Sequence, residues 1–402
     1  IPPLPEITAT PRPQTQANPT AEPSMDPATP QPTQGEEPPA AEEAPTRILI
    51  SNGKTEMESY DPAEGKELIL SFSYDMLRVY AEELPEACSQ INEALATVEE
   101  TFYTGDSYEG EGRYLGYSAM LEMAEDNFAY VYETGAAGMP LEYSDTLTAK
   151  VTRAGSNMLS VVYTENVYLG GPHGSTRADA YNFDVNTGEM LTISKLAADG
   201  EAFADFLTER MLALAETDED NYYSDRILED YLPEGGKAEA FRKLLRDGSW
   251  YFDNEGLVVF SDVEELGPYA AGPVEFCFSY AELEGHMDAK WLFPGLRQGK
   301  GKLEVRPLSE MEGGGTEIVD KLVLDENGED LCIVVSGRIY DVSVCSVYYT
   351  DRFHENAQFW YASTLGDCAL QLLVTVPEGL PDLRISYTTA DGVRHGKLLS
   401  QR

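Results

Sequence analysis

The sequence is short of basic residues, histidine, cysteine and long apolar runs, and each shortage removes a class of function. Only 28 Lys and Arg residues stand against 71 Asp and Glu in 402 residues, a formal net charge of -43. That excess repels phosphate backbones and anionic lipid head groups, which disfavours nucleic acid as a partner. No apolar stretch is long enough to span a bilayer, so no direct membrane insertion is expected. The four histidines, His173, His286, His354 and His395, are scattered singly, so no metal site and no cofactor can be assigned from spacing. Five cysteines, Cys88, Cys277, Cys332, Cys345 and Cys368, cannot all pair internally, and no C-x-x-C occurs. Two of Cys332, Cys345 and Cys368 could form a disulfide. Equally, all could be small buried hydrophobes.

What is present begins with proline. Residues 1–47 hold more than half of the prolines, among Thr, Gln, Ala and Glu, with almost nothing apolar after Ile7. Such a stretch cannot bury enough surface to offset the entropy of ordering, and it is expected to be an extended, disordered spacer. Its position behind an N-terminal Ile rather than Met suggests a processed, exported protein held off a membrane or wall.

After Arg47 the pattern is globular. Leu68 to Phe72 reads as a strand, and Ile91, Leu95, Val98 and Phe102 recur at helical spacing. A second helix is expected over Tyr114 to Asn127, then strands at Thr146–Arg153 and Met158–Tyr168 around the turn Ala154–Asn157. Tyr181, Phe183 and Val185 alternate on one strand and Leu191 and Ile193 on the next, with Asn186-Thr187-Gly188 as the hairpin turn. Helices are expected over Glu201–Leu214 and between Asp225 and Arg246. Strands are expected at Trp250–Phe252, Leu257–Phe260 and Val274–Tyr280. Beyond Gly301 short strands and turn signals, including Asp325 to Gly328, suggest a sandwich. The expected class is α+β: antiparallel sheets with helices packed on one side, followed by a small all-β C-terminal domain. The expected units are 1–47 (spacer), 48–165 and 166–295 (two α+β domains packed as a unit) and 296–402 (sandwich).

An ordered series of motifs runs through the middle of the chain. It comprises Gly170-Gly-Pro-His173-Gly174, a strand ending in Asp184-Val-Asn-Thr-Gly188, a helix, Asp253-Asn-Glu-Gly256-Leu-Val-Val-Phe260, and Pro268-Tyr-Ala-Ala-Gly272. This series resembles the domain of unknown function 3298, and the region before it, with Ile91-Asn92, is similar to the domain of unknown function 4163. Over about residues 60 to 292 the pair resembles the extracellular part of RsiV-type anti-sigma factors, which sense lysozyme, and the non-catalytic front half of certain peptidoglycan deacetylases. The resemblance implies a surface-exposed binding or sensory protein near the cell wall, anchored outside the cell, whose partner is lysozyme or another cationic protein. The deacetylases' metal-binding motifs have no counterpart after residue 295.

Two loops are the candidate ligand-binding places, with Gly171, His173 and Ser175 in one and Pro268 and Tyr269 in the other. Glycine permits close approach, and tyrosine offers an amphipathic contact of the kind enriched in binding hot spots. The plainer alternative is that the glycines and Pro268 fix turns, Tyr269 packs inward and His173 bonds to its own loop. No catalytic residue is assigned: Ser175 lacks a nucleophile-elbow context, and the Asp218 to Glu229 stretch reads as a solvated acidic turn carrying Arg226 rather than a calcium loop. A non-enzymatic binder is therefore expected. A wall-glycan enzyme or its accessory domain, and a structural or adhesive protein, are the alternatives.

Overall fold

The computed structural model describes residues 48–106, 113–135, 142–217, 226–253, 255–292, 302–307, 331–336, 338–349, 354–366, 369–372, 382–389 and 391–399. The spacer at 1–47, the Asp325 turn and most of the 218–229 stretch lie outside them.

Two long antiparallel strands open the fold, β1 (Leu49–Tyr60) and β2 (Leu68–Tyr80). Their connection is held by Asp61, whose carboxylate accepts from the backbone N–H groups of Ala63, Glu64, Lys66 and Glu67 at 2.6–3.1 Å. Helix α1 (Pro85–Thr104) starts on a proline, whose missing N–H costs nothing in the first turn. It buries Ile91, Leu95, Val98 and Phe102, and Phe102 stacks on Phe72 of β2 at 4.7 Å. Helix α2 (Tyr117–Thr134) ends at Gly135 in the left-handed conformation. Then β3 (Tyr143–Ala154), β4 (Met158–Tyr168) and β5 (Ser175–Asp184) form an antiparallel meander.

Strand β3 runs parallel to β2 only from Tyr143 to Leu147 and then diverges. The backbone of β2 beyond that point must find other partners, and α1 provides them. Asn92 accepts from Val79 N–H at 2.7 Å and donates to Val79 C=O at 2.8 Å. Glu99 accepts from Leu77 N–H at 3.0 Å while pairing with Arg78 at 2.7 Å. Asn92, part of the N-terminal resemblance, thus has a structural task.

A second core follows. Helix α3 (Gly200–Thr217) buries Phe203, Leu207, Met211 and Ala215 at four-residue spacing. It packs with α4 (Gly236–Asp247) against a three-stranded antiparallel sheet of β6 (Trp250–Phe252), β7 (Gly256–Phe260) and β8 (Glu275–Ser279). In the β6–β7 turn Asp253 accepts from the N–H groups of Glu255 and Gly256, which accounts for the Asp-x-x-Gly motif. A short helix α5 (Tyr280–Leu283) closes the unit with a Ser279/Glu282 capping box.

The C-terminal strands differ from expectation. They are β9 (Lys302–Pro307), β10 (Leu331–Ser336), β11 (Arg338–Tyr349), β12 (His354–Gly366), β13 (Ala369–Leu372), β14 (Asp382–Thr389) and β15 (Arg394–Leu399). Rather than a separate sandwich, they extend the first sheet, with β13 parallel to β1 and β12 parallel to the far half of β3. Ile333, Val335, Ile339, Val342 and Val344 accordingly join the core of β1–β5. Alternation identifies a strand but not its partner, so the pairing was invisible.

The result is α+β, with twelve strands in one mixed sheet among the described residues. The expected boundary at 165 falls inside β4. The cores instead divide after β5, at the turn where Asp184 accepts from Gly188 N–H. The expected strand at Leu191–Ile193 is a single bridge, Phe183 to Met190, followed by a 3-10 turn at Ile193–Lys195. A polar seam joins the cores: Ser160 bonds Asn182, and Asn182 donates to Trp250 C=O at 2.8 Å. Cys345 is unpaired, as are Cys88 and Cys277, while the side chains of Cys332 and Cys368 lie outside the described residues.

Candidate functional site

The two loops singled out from the sequence meet. His173, in the β4–β5 connection, stacks on Tyr269 with ring centroids 4.0 Å apart and planes 22° from parallel. His173 is exposed, and Tyr269 remains 37% accessible despite the contact, so Tyr269 does not pack inward. The knuckle they form is presented by backbone geometry. Gly170 and Gly171 hold φ of 83° and 99°, values a side chain disfavours, and Gly174 approaches Val167 C=O so closely that a Cβ would sit 2.7 Å from it. Pro268 precedes a 3-10 turn, Tyr269–Ala271, and its carbonyl accepts from Ala271 N–H at 2.8 Å. Ser175 is the exposed first residue of β5. His173 Nδ1 lies 3.1 Å from Gly174 C=O. The glycines and Pro268 therefore do fix turns, and those turns present the two rings.

Sequence reasoning missed the residues that fix the second loop. Arg226 donates through Nε to Ala271 C=O at 2.9 Å and through Nη2 to Pro273 C=O. A Cβ on Gly267 would lie 2.1 Å from Arg226 C=O, so glycine is required for this approach. Arg226, read from the sequence as part of a solvated turn, is thus a clamp. Its partners are carbonyls remote in sequence, and no local pattern announces them.

Arg113 is the second clamp. It pairs with Asp179 of β5 at 2.5 Å and with Asp262, between β7 and the Tyr269 loop, at 3.4 Å, and it donates to Ala178 C=O at 3.0 Å. Asp262 also accepts from Ala178 N–H at 2.8 Å. These contacts tie the edge strand of the large sheet to the stem of the Tyr269 loop. Burial raises the Asp179 carboxyl above its ordinary range, opposed by the Arg113 charge.

Below the knuckle the stems of both loops border a cleft of about 200 Å³, lined among others by Thr176, Arg177, Tyr251, Phe260, Asp262 and Glu275. Its lining also includes Lys150, so two bases stand against two acids and the cleft itself is charge-balanced. Among the described residues no three His, Cys, Asp or Glu side chains converge as a metal-binding group. Nor is any described helix long and apolar enough to cross a membrane.

Residues 195–281 match the family described as a protein of unknown function, DUF3298, and the chain carries that domain there. The matched segment contains most of the second core together with Pro268 and Tyr269. His173 lies before it. Two solved structures are similar. One is a DUF3298-family member from Bacteroides fragilis, 17% identical, covering 63% of this chain and 99% of its own, with a TM-score of 0.42. The other is a DUF3298-family protein from Pseudomonas aeruginosa, 18% identical, covering 61% of this chain and 96% of its own, with a TM-score of 0.38. No curated protein matches the chain.

Proposed function

We propose that this chain is a non-catalytic, extracytoplasmic binding protein that engages a cationic, wall-active protein such as lysozyme through the His173/Tyr269 knuckle. The observation that carries the reading is the convergence of two loops from different cores on one exposed aromatic stack, with Arg226 holding the Tyr269 turn and Arg113 tying β5 to that loop's stem. A surface held rigid before contact loses little entropy on binding. A half-exposed Tyr is a suitable anchor. The net charge of -43 attracts a basic partner and speeds encounter, with a salt dependence set by the Debye length. Charge gives the rate and the knuckle gives the specificity. The surface location and the partner class follow the resemblance of residues 60–292 to RsiV-type sensors.

Titration calorimetry against lysozyme at low and moderate salt tests the proposal, with Tyr269→Ala and His173→Ala beside the wild type. Saturable binding that survives moderate salt and weakens at least tenfold in Tyr269→Ala, about 1.4 kcal/mol, is expected. Binding that vanishes with salt, or that every basic protein shows equally, would sink the specific receptor and leave only an acidic surface.

A further inference from the structure

On the core face of β3 and β4 the sheet buries two carboxylates whose oxygens are incompletely hydrogen-bonded. Asp145 on β3 is fully buried and Glu165 on β4 is 3% exposed. Neither oxygen of Asp145 has a hydrogen-bond partner, nor does Oε2 of Glu165. The register sets Asp145 opposite Val167 and Leu147 opposite Glu165, so the two acids are diagonal neighbours on one face of the sheet. An ionised carboxylate buried without donors is costly, and two side by side are costlier still.

We propose that Asp145 and Glu165 form a proton-holding pair that tunes the two-loop surface, keeping it fixed while the pair is protonated and loosening it as the pair ionises. Regulation of binding by this route rests on the knuckle being the binding face.

The path is short. Glu165 stands opposite Arg177 on β5, and Val167 opposite Ser175, where the His173 loop begins. Arg177 donates to the backbone C=O of Arg113 at 2.6 Å, and Arg113 holds Asp179 and Asp262. A second negative charge on the pair draws on Arg177 and competes with Asp179 and Asp262 for the Arg113 guanidinium. The groups that act on the pair are the Thr146 backbone N–H at Asp145, the Arg177 and Arg113 guanidiniums, and the Asp179 and Asp262 carboxylates beyond them.

Burial, and then the charge of Glu165, pushes Asp145 up to about 8, and burial pushes Glu165 up to about 7 against the pull of Arg177. Both folded-state values lie above those of the unfolded chain. The folded state therefore holds the extra protons between about pH 4 and pH 8, and its stability falls as pH rises through that window.

The test uses the whole chain with Asp145→Asn and Glu165→Gln. Amide exchange at 169–174 and 262–272, corrected for the intrinsic base-catalysed rate, should rise about fivefold or more from about pH 6 to pH 9 in the wild type and stay flat in Asp145→Asn. Infrared spectra at neutral pH should show a protonated-carboxyl band that Asp145→Asn weakens. If Asp145→Asn does not fold, Glu165→Gln carries the same comparison. Loop exchange independent of pH in the wild type would overturn the proposal. So would a calcium-induced rise in Tm that Asp145→Asn abolishes, since the pair would then be a cation site. Where exchange and infrared respond as expected but lysozyme binds at no pH, the pair stands and the binding reading falls.

Discussion

The two cores gather their residues from very different distances along the chain. The second draws Phe203, Phe241, Trp250, Phe276 and Trp291 from one continuous stretch, with Met158 as its outlier. Its interior is apolar and aromatic, with Phe241 and Phe276 edge to face at 4.8 Å. The first joins β1 to β13 and β3 to β12 in parallel register across most of the sequence. It also buries Glu99, Asp145 and Glu165 among its hydrophobes. A locally built core is stabilised by packing. One assembled from remote strands leaves backbone groups and charges at its mismatched edges, and these must be satisfied individually or carried as stress. Tyr269 stands on a stem of the first kind and His173 on a hairpin of the second, so the knuckle reports on both.

The largest effect should come from the packed core. Phe276→Ala removes a fully buried ring and should cost about 4 kcal/mol in urea denaturation. If the cores are separable, amide protection between residues 191 and 292 should fall before that between 48 and 185. Equal loss in both regions would erase the distinction and make the Ser160–Asn182–Trp250 seam a rigid weld. In the first core the sensitive point is polar. Glu99→Ala strands Arg78, Leu77 N–H and the Tyr163 hydroxyl together, and should cost about 3 kcal/mol. A loss below about 1 kcal/mol would mean that water replaces the carboxylate and that the edge is not held by α1.

The same contrast explains what could be read from the sequence. Elements of the second core were legible because periodicity, turn chemistry and neighbourhood all lie within a few residues of one another. Phe203 to Ala215 keep helical spacing, and Asp253 to Gly256 form a turn where one was expected. Strands β1, β9, β12 and β15 were not anticipated, and neither was the merging of the C-terminal strands into the first sheet, because cross-strand partners leave no mark on either strand alone. Both loops of the site were legible from their glycines and Tyr269. Their clamps were not, since Arg113 and Arg226 act on groups distant in sequence. The acid pair did leave a signal. Asp145 shares its parity with Leu147 and Val151, and Glu165 with Val161 and Tyr163, so strict alternation turns both acids inward. The many surface carboxylates of so acidic a chain hid it.

The smallest expected effect is the one that separates surface from scaffold. Tyr269→Ala should leave stability within about 0.5 kcal/mol of the wild type, although the residue lies three positions beyond the buried Leu266. Its ring meets His173, itself exposed, and the turn beneath is held without it. Pro268 C=O bonds Ala271 N–H, Gly272 N–H bonds Tyr269 C=O, and Arg226 fixes Ala271 and Pro273. All of these are backbone or Arg226 contacts that an alanine preserves. Thermal melting of Tyr269→Ala beside Arg226→Ala provides the measurement. An unchanged Tm in the first and a clear fall in the second would place Tyr269 outside the folding machinery, so that any affinity it loses belongs to recognition. A fall in Tyr269→Ala as large as in Arg226→Ala would make the stack a structural joint between the two cores, and the knuckle would then owe its existence to the fold alone.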